Sequence, residues 1–162
     1  MAHVLVVKDG LNIDLPQSNE RNIETLFGLD DSNRVIQRFT FDAPIVVNPR
    51  DLLDKLLHAT HATIEKGYLF YSFRYQVSYM HNMMQTVPLL VDYLTRYRDY
   101  KLLVPRHHAT ELYKDIFELM GVKDDDIVYL EDKHLYTIKN YAQRRRWAEG
   151  ALDVTDAILD TY

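Results

Sequence analysis

The chain has 162 residues, of which 47% are hydrophobic and 27% charged, a composition typical of one soluble globular domain with a substantial core. The net charge of -5 and the isoelectric point near 5.8 argue against a dedicated nucleic-acid-binding protein, which usually presents a basic face. The lack of cysteine excludes disulfides, thiolate catalysis and cysteine-based zinc sites. No stretch approaches the roughly 18 apolar residues of a membrane span. We therefore expect a cytoplasmic domain without a membrane span or a nucleic-acid partner.

The amino-terminal part of the chain predicts short strands. Residues 3–7 form an apolar run closed by Asp9 and Gly10, and residues 34–41 alternate apolar and polar side chains as in a half-buried strand. Residues 45–47 are another short β-branched run. The intervening residues 11–31 are rich in turn formers, and we expect only a helical turn at residues 22–27.

From Pro49 onward, the spacing of apolar residues predicts alternating helices and strands. The predicted elements are a helix at residues 49–66 stopped by Gly67, a strand at 68–73, a helix at 79–98 kinked at Pro88, a strand at 101–105, a helix at 108–120 stopped by Gly121, and strands at 126–130 and 134–138. Such alternation indicates βαβ units. We therefore predict an α/β fold, a Rossmann-like three-layer sandwich with a mainly parallel sheet.

Each predicted helix has a face that is expected to point toward the core. The expected inward residues are Leu53, Leu56, Leu57, Thr60 and Ile64 in the first helix, Met80, Met83, Met84, Val87, Val91 and Leu94 in the second, and Leu112, Ile116, Leu119 and Met120 in the third. Residues 141–162 predict a further helix with Trp147, Ala151, Val154 and Ile158 on one side. We therefore divide the chain into a domain at residues 1–140 and a helical segment or linker at 141–162.

Two junctions between a predicted strand and the next helix contain polar side chains. His81 lies in the first turn after the break that follows residues 68–73, and Arg106 and His107 follow the strand at residues 101–105. Ligands of α/β folds collect at the carboxyl ends of strands, where helix amino termini point. Imidazole titrates near neutral pH and can act as a general base. The alternatives are a packed histidine at position 81, and helix capping with surface charge at positions 106–108.

Other polar clusters have simpler explanations. There is no glycine-rich phosphate loop of the dinucleotide-binding or P-loop type. His58 and His61 are three residues apart on the predicted helix and could share a metal, but no third ligand stands at a suitable distance, so a solvated helix face is the alternative. Residues 124–126, three aspartates, are read as a solvated turn, and residues 144–146, three arginines, as a solvated helix face.

Residues 78–90 resemble the signature helix of glycosyltransferase family 61. Tyr79, His81, Pro88 and Leu90 match the residue types and spacing of that signature. Three downstream stretches resemble the strand, helix and strand that follow in the family: residues 100–105, 111–121 and 126–130. The sequence departs from the family pattern at four positions: Ser78 replaces Asn, Met80 replaces Gly, Asn82 replaces Trp, and Gln85 stands where an acid is usual.

The resemblance implies a glycosyltransferase domain and one half of a GT-B-type architecture, with the donor-binding half missing from this chain. The expected reaction is an inverting, metal-independent transfer of a sugar from a nucleotide-sugar donor to a hydroxyl of a glycan or glycoprotein, with no cofactor. His81 would be the catalytic base. The expected substrate-binding residues are Tyr79, Gln85, Arg74, Arg106 and His107. The alternative is a non-catalytic protein-interaction or glycan-binding module, and a second domain or a homodimer through the carboxyl-terminal helix is a possible partner.

Overall fold

The computed structural model describes residues 1–7, 25–29, 35–38, 49–70, 87–106 and 110–144. Its strands are β1 (Ala2–Val7), β2 (Thr25–Leu29), β3 (Val35–Arg38), β4 (Thr60–Leu69), β5 (Lys101–Pro105), β6 (Ile127–Leu130) and β7 (His134–Ala142). Its helices are α1 (Pro49–Leu57), α2 (Val87–Arg96), α3 (Glu111–Leu119) and a single 3-10 turn (Asp124–Asp126).

The described strands form one mixed sheet in the order β3-β2-β1-β7-β4-β5-β6. The strands β7, β4, β5 and β6 are neighbours and run parallel. Strand β1 is antiparallel to both β7 and β2, and β3 is antiparallel to β2. The predicted α/β class is confirmed, and the parallel arrangement applies to the half of the sheet built after α1.

The prediction of one helix over residues 49–66 is wrong. Helix α1 ends at Leu57, and the chain then forms β4, which pairs in parallel with β7 from Thr60↔His134 to Tyr68↔Ala142. Thr60, Thr63 and Ile64 are β-branched and favour a strand, but the same polar pattern also fits an exposed helix face. The partner strand, more than seventy residues away, determines the outcome.

Gly67 therefore lies inside a strand and does not stop a helix. A Cβ at this position would lie 2.5 Å from Cδ1 of Leu103 and 3.2 Å from Cγ2 of Ile138. Glycine is needed here because the side chains of β5 and β7 approach the backbone of β4 more closely than any other residue allows.

The alternation of exposed and buried residues in β4 and β7 is interrupted just before Gly67. Two adjacent residues of β4, Glu65 and Lys66, are both exposed, and so are the two facing residues of β7, Lys139 and Asn140. The Asn140 side-chain amide donates to the Glu65 carbonyl oxygen at 3.1 Å. Successive strand residues normally point to opposite faces, so two exposed residues in a row shift the alternation by one position in both strands.

The core consists of two clusters, one on each face of the sheet. The helix-side cluster contains Tyr68, Phe70, Leu90, Tyr93, Leu102, Val104, Tyr113, Phe117, Val122 and Ala142. The far-side cluster contains Val4, Val6, Leu69, Leu103, Leu130, Tyr136 and Ile138. Helices α2 and α3 both pack in the helix-side cluster. No described helix contributes to the far-side cluster, so the described residues account for two layers of the predicted three.

Helix α2 buries only part of the expected face: of the expected residues, Leu94 packs against the helix-side cluster. The fully buried apolar side chains are Leu90 and Tyr93, whereas Val87, Val91 and Leu94 are only partly buried. Tyr93 and Tyr97 pack against Tyr68, with ring centroids 5.7 and 5.2 Å away. Residues 79–86, which include Met80, Met83 and Met84, lie outside the described residues. Pro88 is buried in the first turn of α2, and the preceding turn, against which it was expected to kink the helix, lies outside the described residues.

Helix α3 has well-defined ends. The Tyr113 amide donates to the Thr110 hydroxyl at 3.4 Å, which caps the first turn. At the other end, Gly121 has a φ of 78°, its amide donates to the Glu118 carbonyl, and the Val122 amide donates to the Phe117 carbonyl. This is a Schellman motif, so the prediction of Gly121 as the stop is confirmed.

The buried face of α3 was predicted correctly in part: Ile116 and Met120 pack against the helix-side cluster as expected. Tyr113 and Phe117 point inward and pack edge-on against Phe70, with centroids 5.9 and 5.2 Å away. Leu112 and Leu119 are exposed, at 48% and 86%. The larger aromatic rings bury more apolar area than the leucines one position earlier and two positions later, so they occupy the core.

Three further boundaries differ from the predictions. Residues 25–29 form strand β2 where a helical turn was expected at 22–27. Strand β7 extends through Ala142, so the helix predicted from residue 141 is wrong in its first two residues, and residues 145–162 lie outside the described part. In α1, the expected inward residues Leu53 and Leu57 are exposed, at 55% and 73%.

Candidate functional site

The carboxyl ends of β4, β5 and β6 form one edge of the parallel half-sheet. Leu69 of β4 pairs with Leu103 of β5, and Pro105 of β5 pairs with Leu130 of β6. The amide of Phe70, the residue after β4, donates to the Leu103 carbonyl at 2.9 Å. Residues 71–86 follow Phe70 in the chain and lead into α2. The two strands that precede the predicted site segments therefore end beside each other.

Arg106 is the first residue after β5 and the centre of a polar cluster at this edge. Its guanidinium donates to the Glu131 carboxylate and lies over the Tyr129 ring, 4.9 Å from the centroid. The hydrogen bond to Glu131 raises the pKa of Arg106, so the side chain is a fixed cation. The Arg106 and Glu131 side chains are 55% and 42% exposed, so the pair remains accessible to ligands.

Tyr136 of β7 connects this cluster to the core. The Glu131 amide donates to the Tyr136 hydroxyl at 2.8 Å, and burial raises the pKa of that hydroxyl. His134 stacks on the Tyr136 ring with centroids 5.6 Å apart, and its Nδ1 donates to the Asp132 carbonyl at 2.9 Å. Only Glu131, Asp132 and Lys133 separate β6 from β7. The position of Glu131 is thus determined by a short, well-bonded connection.

A second polar contact is buried below α2. The Tyr68 hydroxyl donates to Asp92 Oδ2 at 2.9 Å, and Arg96 lies 3.5 Å from the other carboxylate oxygen. Asp92 is the one charged residue that is buried among the described residues, with 7% exposure. Burial is the main cause that raises the pKa of the Tyr68 hydroxyl, and the Asp92 charge adds to it. The contact joins the carboxyl end of β4 to the first turns of α2.

Of the predicted site residues, only Arg106 belongs to the described part of the chain, where it lies at the carboxyl end of β5 as expected. The other predicted site residues lie outside it: Arg74, Tyr79, His81, Gln85 and His107.

His58 and His61 do not share a helix face, because His61 belongs to β4. His58 interacts with Asp54, one turn earlier in α1, at 3.3 Å. Within the described ranges, no three histidine, aspartate or glutamate side chains are close enough to hold a metal ion. Residues Asp124–Asp126 form the 3-10 turn before β6, consistent with the predicted solvated turn. Arg144 follows β7 in the chain, and its charge acts on the Tyr68 hydroxyl; positions 145 and 146 lie outside the described residues.

The sequence analysis missed Glu131, Tyr129, Tyr136 and Asp92. Glu131 follows β6 directly, so the argument that singled out Arg106 after β5 would also have found it. Asp92 is a single acid inside the apolar stretch of residues 87–94, which is a recognisable signal for a buried hydrogen-bonded carboxylate. Tyr136 gave no signal, because its role depends on the short connection between β6 and β7.

None of the described helices is long and apolar enough to cross a membrane. Comparison with models of known protein families found none that matches this sequence. Searches of characterised proteins and of solved structures likewise found no significant match.

Proposed function

We propose that the chain is a glycosyltransferase domain that acts by inversion and without a metal, moving a sugar from a nucleotide-sugar donor to a hydroxyl of a glycan or glycoprotein. It would form the acceptor-side, Rossmann-like half of a GT-B-type enzyme, with helices on both faces of its sheet. Support comes from the signature-like residues 78–90 and from the order β4, α2, β5, α3, β6 around parallel strands.

The observation that carries the proposal is that two segments follow strands whose carboxyl ends lie side by side. Residues 71–86, which contain the signature-like His81, leave the sheet at Phe70, and Arg106 leaves it at the neighbouring strand. Ligands of parallel sheets bind at this edge. A base from the first segment and a cation from the second would serve one bound substrate.

In the proposed reaction, His81 takes the proton from the acceptor hydroxyl while the oxygen of that hydroxyl attacks the anomeric carbon of the donor sugar. The bond from that carbon to the donor phosphate breaks, and the nucleoside diphosphate leaves with the electron pair. Arg106 binds the substrate through the part of its guanidinium that Glu131 does not occupy. The residues that bind and orient the substrates are Arg74, Tyr79, Gln85 and His107.

The test is a screen of nucleotide-sugar donors by nucleotide release, on the full-length gene product. A general base contributes roughly 10²–10⁴-fold, so His81→Ala should reduce turnover by that factor while the protein stays folded. His61→Ala, which changes an exposed histidine of β4, is the matched control and should retain activity. Near-normal turnover of His81→Ala would exclude the base role. The chain of residues 1–162 alone should bind nucleotide sugars weakly, and micromolar affinity would contradict its assignment as the acceptor-side half.

The second candidate function is a non-catalytic interaction module, and α1 is the observation that favours it. Leu53 and Leu57 lie one turn apart on this helix and are largely exposed, which is unusual for leucines of an amphipathic helix. The proposed partner is a second domain, or a second copy of this chain that binds through the helix predicted within residues 141–162. Leu53→Ser with Leu57→Ser should weaken association in sedimentation experiments while the circular dichroism spectrum stays unchanged, and unchanged association would remove α1 from the interface.

A further inference from the structure

Strand β6 is one of the two edges of the sheet. It pairs in parallel with β5 through four residues, from Leu102↔Ile127 to Pro105↔Leu130. Among the described strands, none pairs with its other side. A strand in this position offers a row of backbone amide and carbonyl groups to a further strand.

The strand is short, but its four residues include none of the types that usually prevent further pairing. Ile127, Val128, Tyr129 and Leu130 include no proline, glycine or charged residue. Their side chains pack into the two core clusters, Ile127 and Tyr129 on the helix side and Val128 and Leu130 on the far side. The side chains of β6 are therefore anchored on both faces of the sheet, and no described strand pairs with its outer edge, which is the arrangement used in recognition by strand addition.

Acidic residues flank both ends of β6. The exposed Asp124 and Asp125 and the half-exposed Asp126 precede it, and Glu131 and Asp132 follow it. Residues 123–133 contain five acids and two lysines. Arg106 pairs with Glu131, and Lys101 donates to the main-chain oxygen of Asp125 at 2.6 Å and not to its carboxylate. The amino-terminal flank therefore keeps most of its negative charge.

The charge pattern selects one kind of occupant. If β6 of a second copy paired antiparallel with this edge, the aspartates before one strand would face Glu131 and Asp132 of the other, and like charges would repel. A strand with basic residues at both ends would instead meet opposite charges at both ends. We propose that β6 binds a partner protein through an extended segment of about four apolar or β-branched residues with lysine or arginine on both sides. The segment adds as an eighth strand, and its backbone supplies the affinity.

The proposal is tested with three synthetic peptides and the intact chain. The probe is Lys-Arg-Val-Thr-Val-Thr-Arg-Lys. One control, Lys-Arg-Val-Pro-Pro-Thr-Arg-Lys, keeps the charge but has two adjacent prolines, so one of the two missing amide donors faces β6 in either register. The other, Glu-Glu-Val-Thr-Val-Thr-Glu-Glu, keeps the strand-forming centre but reverses the charge. Binding is measured by fluorescence anisotropy, and backbone hydrogen exchange is followed at residues 127–130.

The probe should bind at least about tenfold more tightly than either control and slow amide exchange in β6 by a similar factor. Asp124→Asn with Asp125→Asn should weaken the binding severalfold. The variant Asp115→Asn with Glu118→Gln, which removes two exposed charges from α3, should leave it unchanged. Equal binding of the proline control would mean non-specific charge attraction and would overturn the proposal. Amides of β6 that are already as protected from exchange as those of β5 would also overturn the proposal, because the edge would then be covered by another part of the chain. Self-association of the chain that the probe does not reduce would overturn it as well.

Discussion

Gly67→Ala tests the close packing of β4 against β5 and β7. The added methyl group would lie 2.5 Å from Cδ1 and 3.0 Å from Cγ of Leu103, and 3.2 Å from Cγ2 of Ile138. Leu103 and Ile138 are both fully buried, so neither side chain can turn toward solvent to make room. Either the leucine must leave its preferred rotamer, or β4 must move away from β5 and β7.

The expected cost follows from two opposing effects. Overpacking of a buried site costs about 1–3 kcal/mol, and alanine recovers about 0.5–1 kcal/mol of the conformational entropy that glycine loses in a strand. The net loss in the free energy of unfolding should therefore be about 1–2 kcal/mol. Urea denaturation followed by circular dichroism measures this difference, and the slope of the transition should remain unchanged.

A double-mutant cycle separates the steric explanation from a general weakness of the strand. Leu103→Ala alone should cost about 2–5 kcal/mol, but in this background Gly67→Ala should cost nothing or even stabilise, because the methyl group fills part of the cavity. Gly121→Ala is the control. Its φ of 78° is strained for alanine but no atom lies within 4 Å of the added carbon, so its cost should not depend on Leu103. Additive effects of Gly67→Ala and Leu103→Ala, or an unchanged stability of Gly67→Ala, would refute the close-packing argument.

Three further predictions follow from the polar contacts. Tyr68→Phe should lower the free energy of unfolding by about 1–3 kcal/mol, because it removes a hydrogen bond from the buried Asp92. Tyr93→Phe loses a hydrogen bond to an accessible carbonyl and should lower it by about 0.5–1.5 kcal/mol. Equal losses of the two variants in urea denaturation would contradict the special role of Asp92. Burial raises the pKa of four tyrosine hydroxyls above the ordinary 10.0, so the stability they contribute is present below pH 10.0 and is lost as the pH rises through the raised values. Tyrosinate absorbance should therefore increase together with the loss of the circular dichroism signal. Separate transitions would show that ionisation of these tyrosines is not coupled to unfolding. These tyrosines are Tyr68, Tyr93, Tyr136 and Tyr141. The hydrogen bond from Lys66 lowers the pKa of Asp99, so the small contribution of this pair to stability is present above pH 3.8 and is lost as the pH falls through the lowered value. Lys66→Met should therefore make the loss of stability with falling pH slightly less steep. An identical acid-denaturation profile would show that this exposed pair contributes nothing to stability.

The parts of the fold that the sequence predicted correctly are those in which local signals agree. The apolar runs of β1, β5 and β6 are bounded by turn formers, and Gly121 follows the last helical residue of an amphipathic stretch. These elements would form similar structure with many different partners. The α/β class followed from their alternation with helices.

The errors occur where distant contacts decide between two locally acceptable structures. The polar stretch from Thr60 to Lys66 suits a solvated helix face as well as an exposed strand, and only pairing with β7 selects the strand. The same is true of the inward faces of α2 and α3, where spacing alone cannot distinguish a row of leucines from a row of aromatic rings. Tyr113 and Phe117 are buried because Phe70, more than forty residues earlier, provides a surface for their edges.

The candidate site depends on the same non-local feature. Ala62 and Ile64 pack on the far side of the sheet, and strict alternation would place Tyr68 there as well. The interrupted alternation before Gly67 places Tyr68 on the helix side, where its hydroxyl reaches Asp92 of α2. It also sets the face on which Phe70 leaves the sheet. The positions of Tyr68 and Phe70 at this edge of the sheet therefore depend on the pairing of β4 with β5 and β7, which no pattern within β4 reveals.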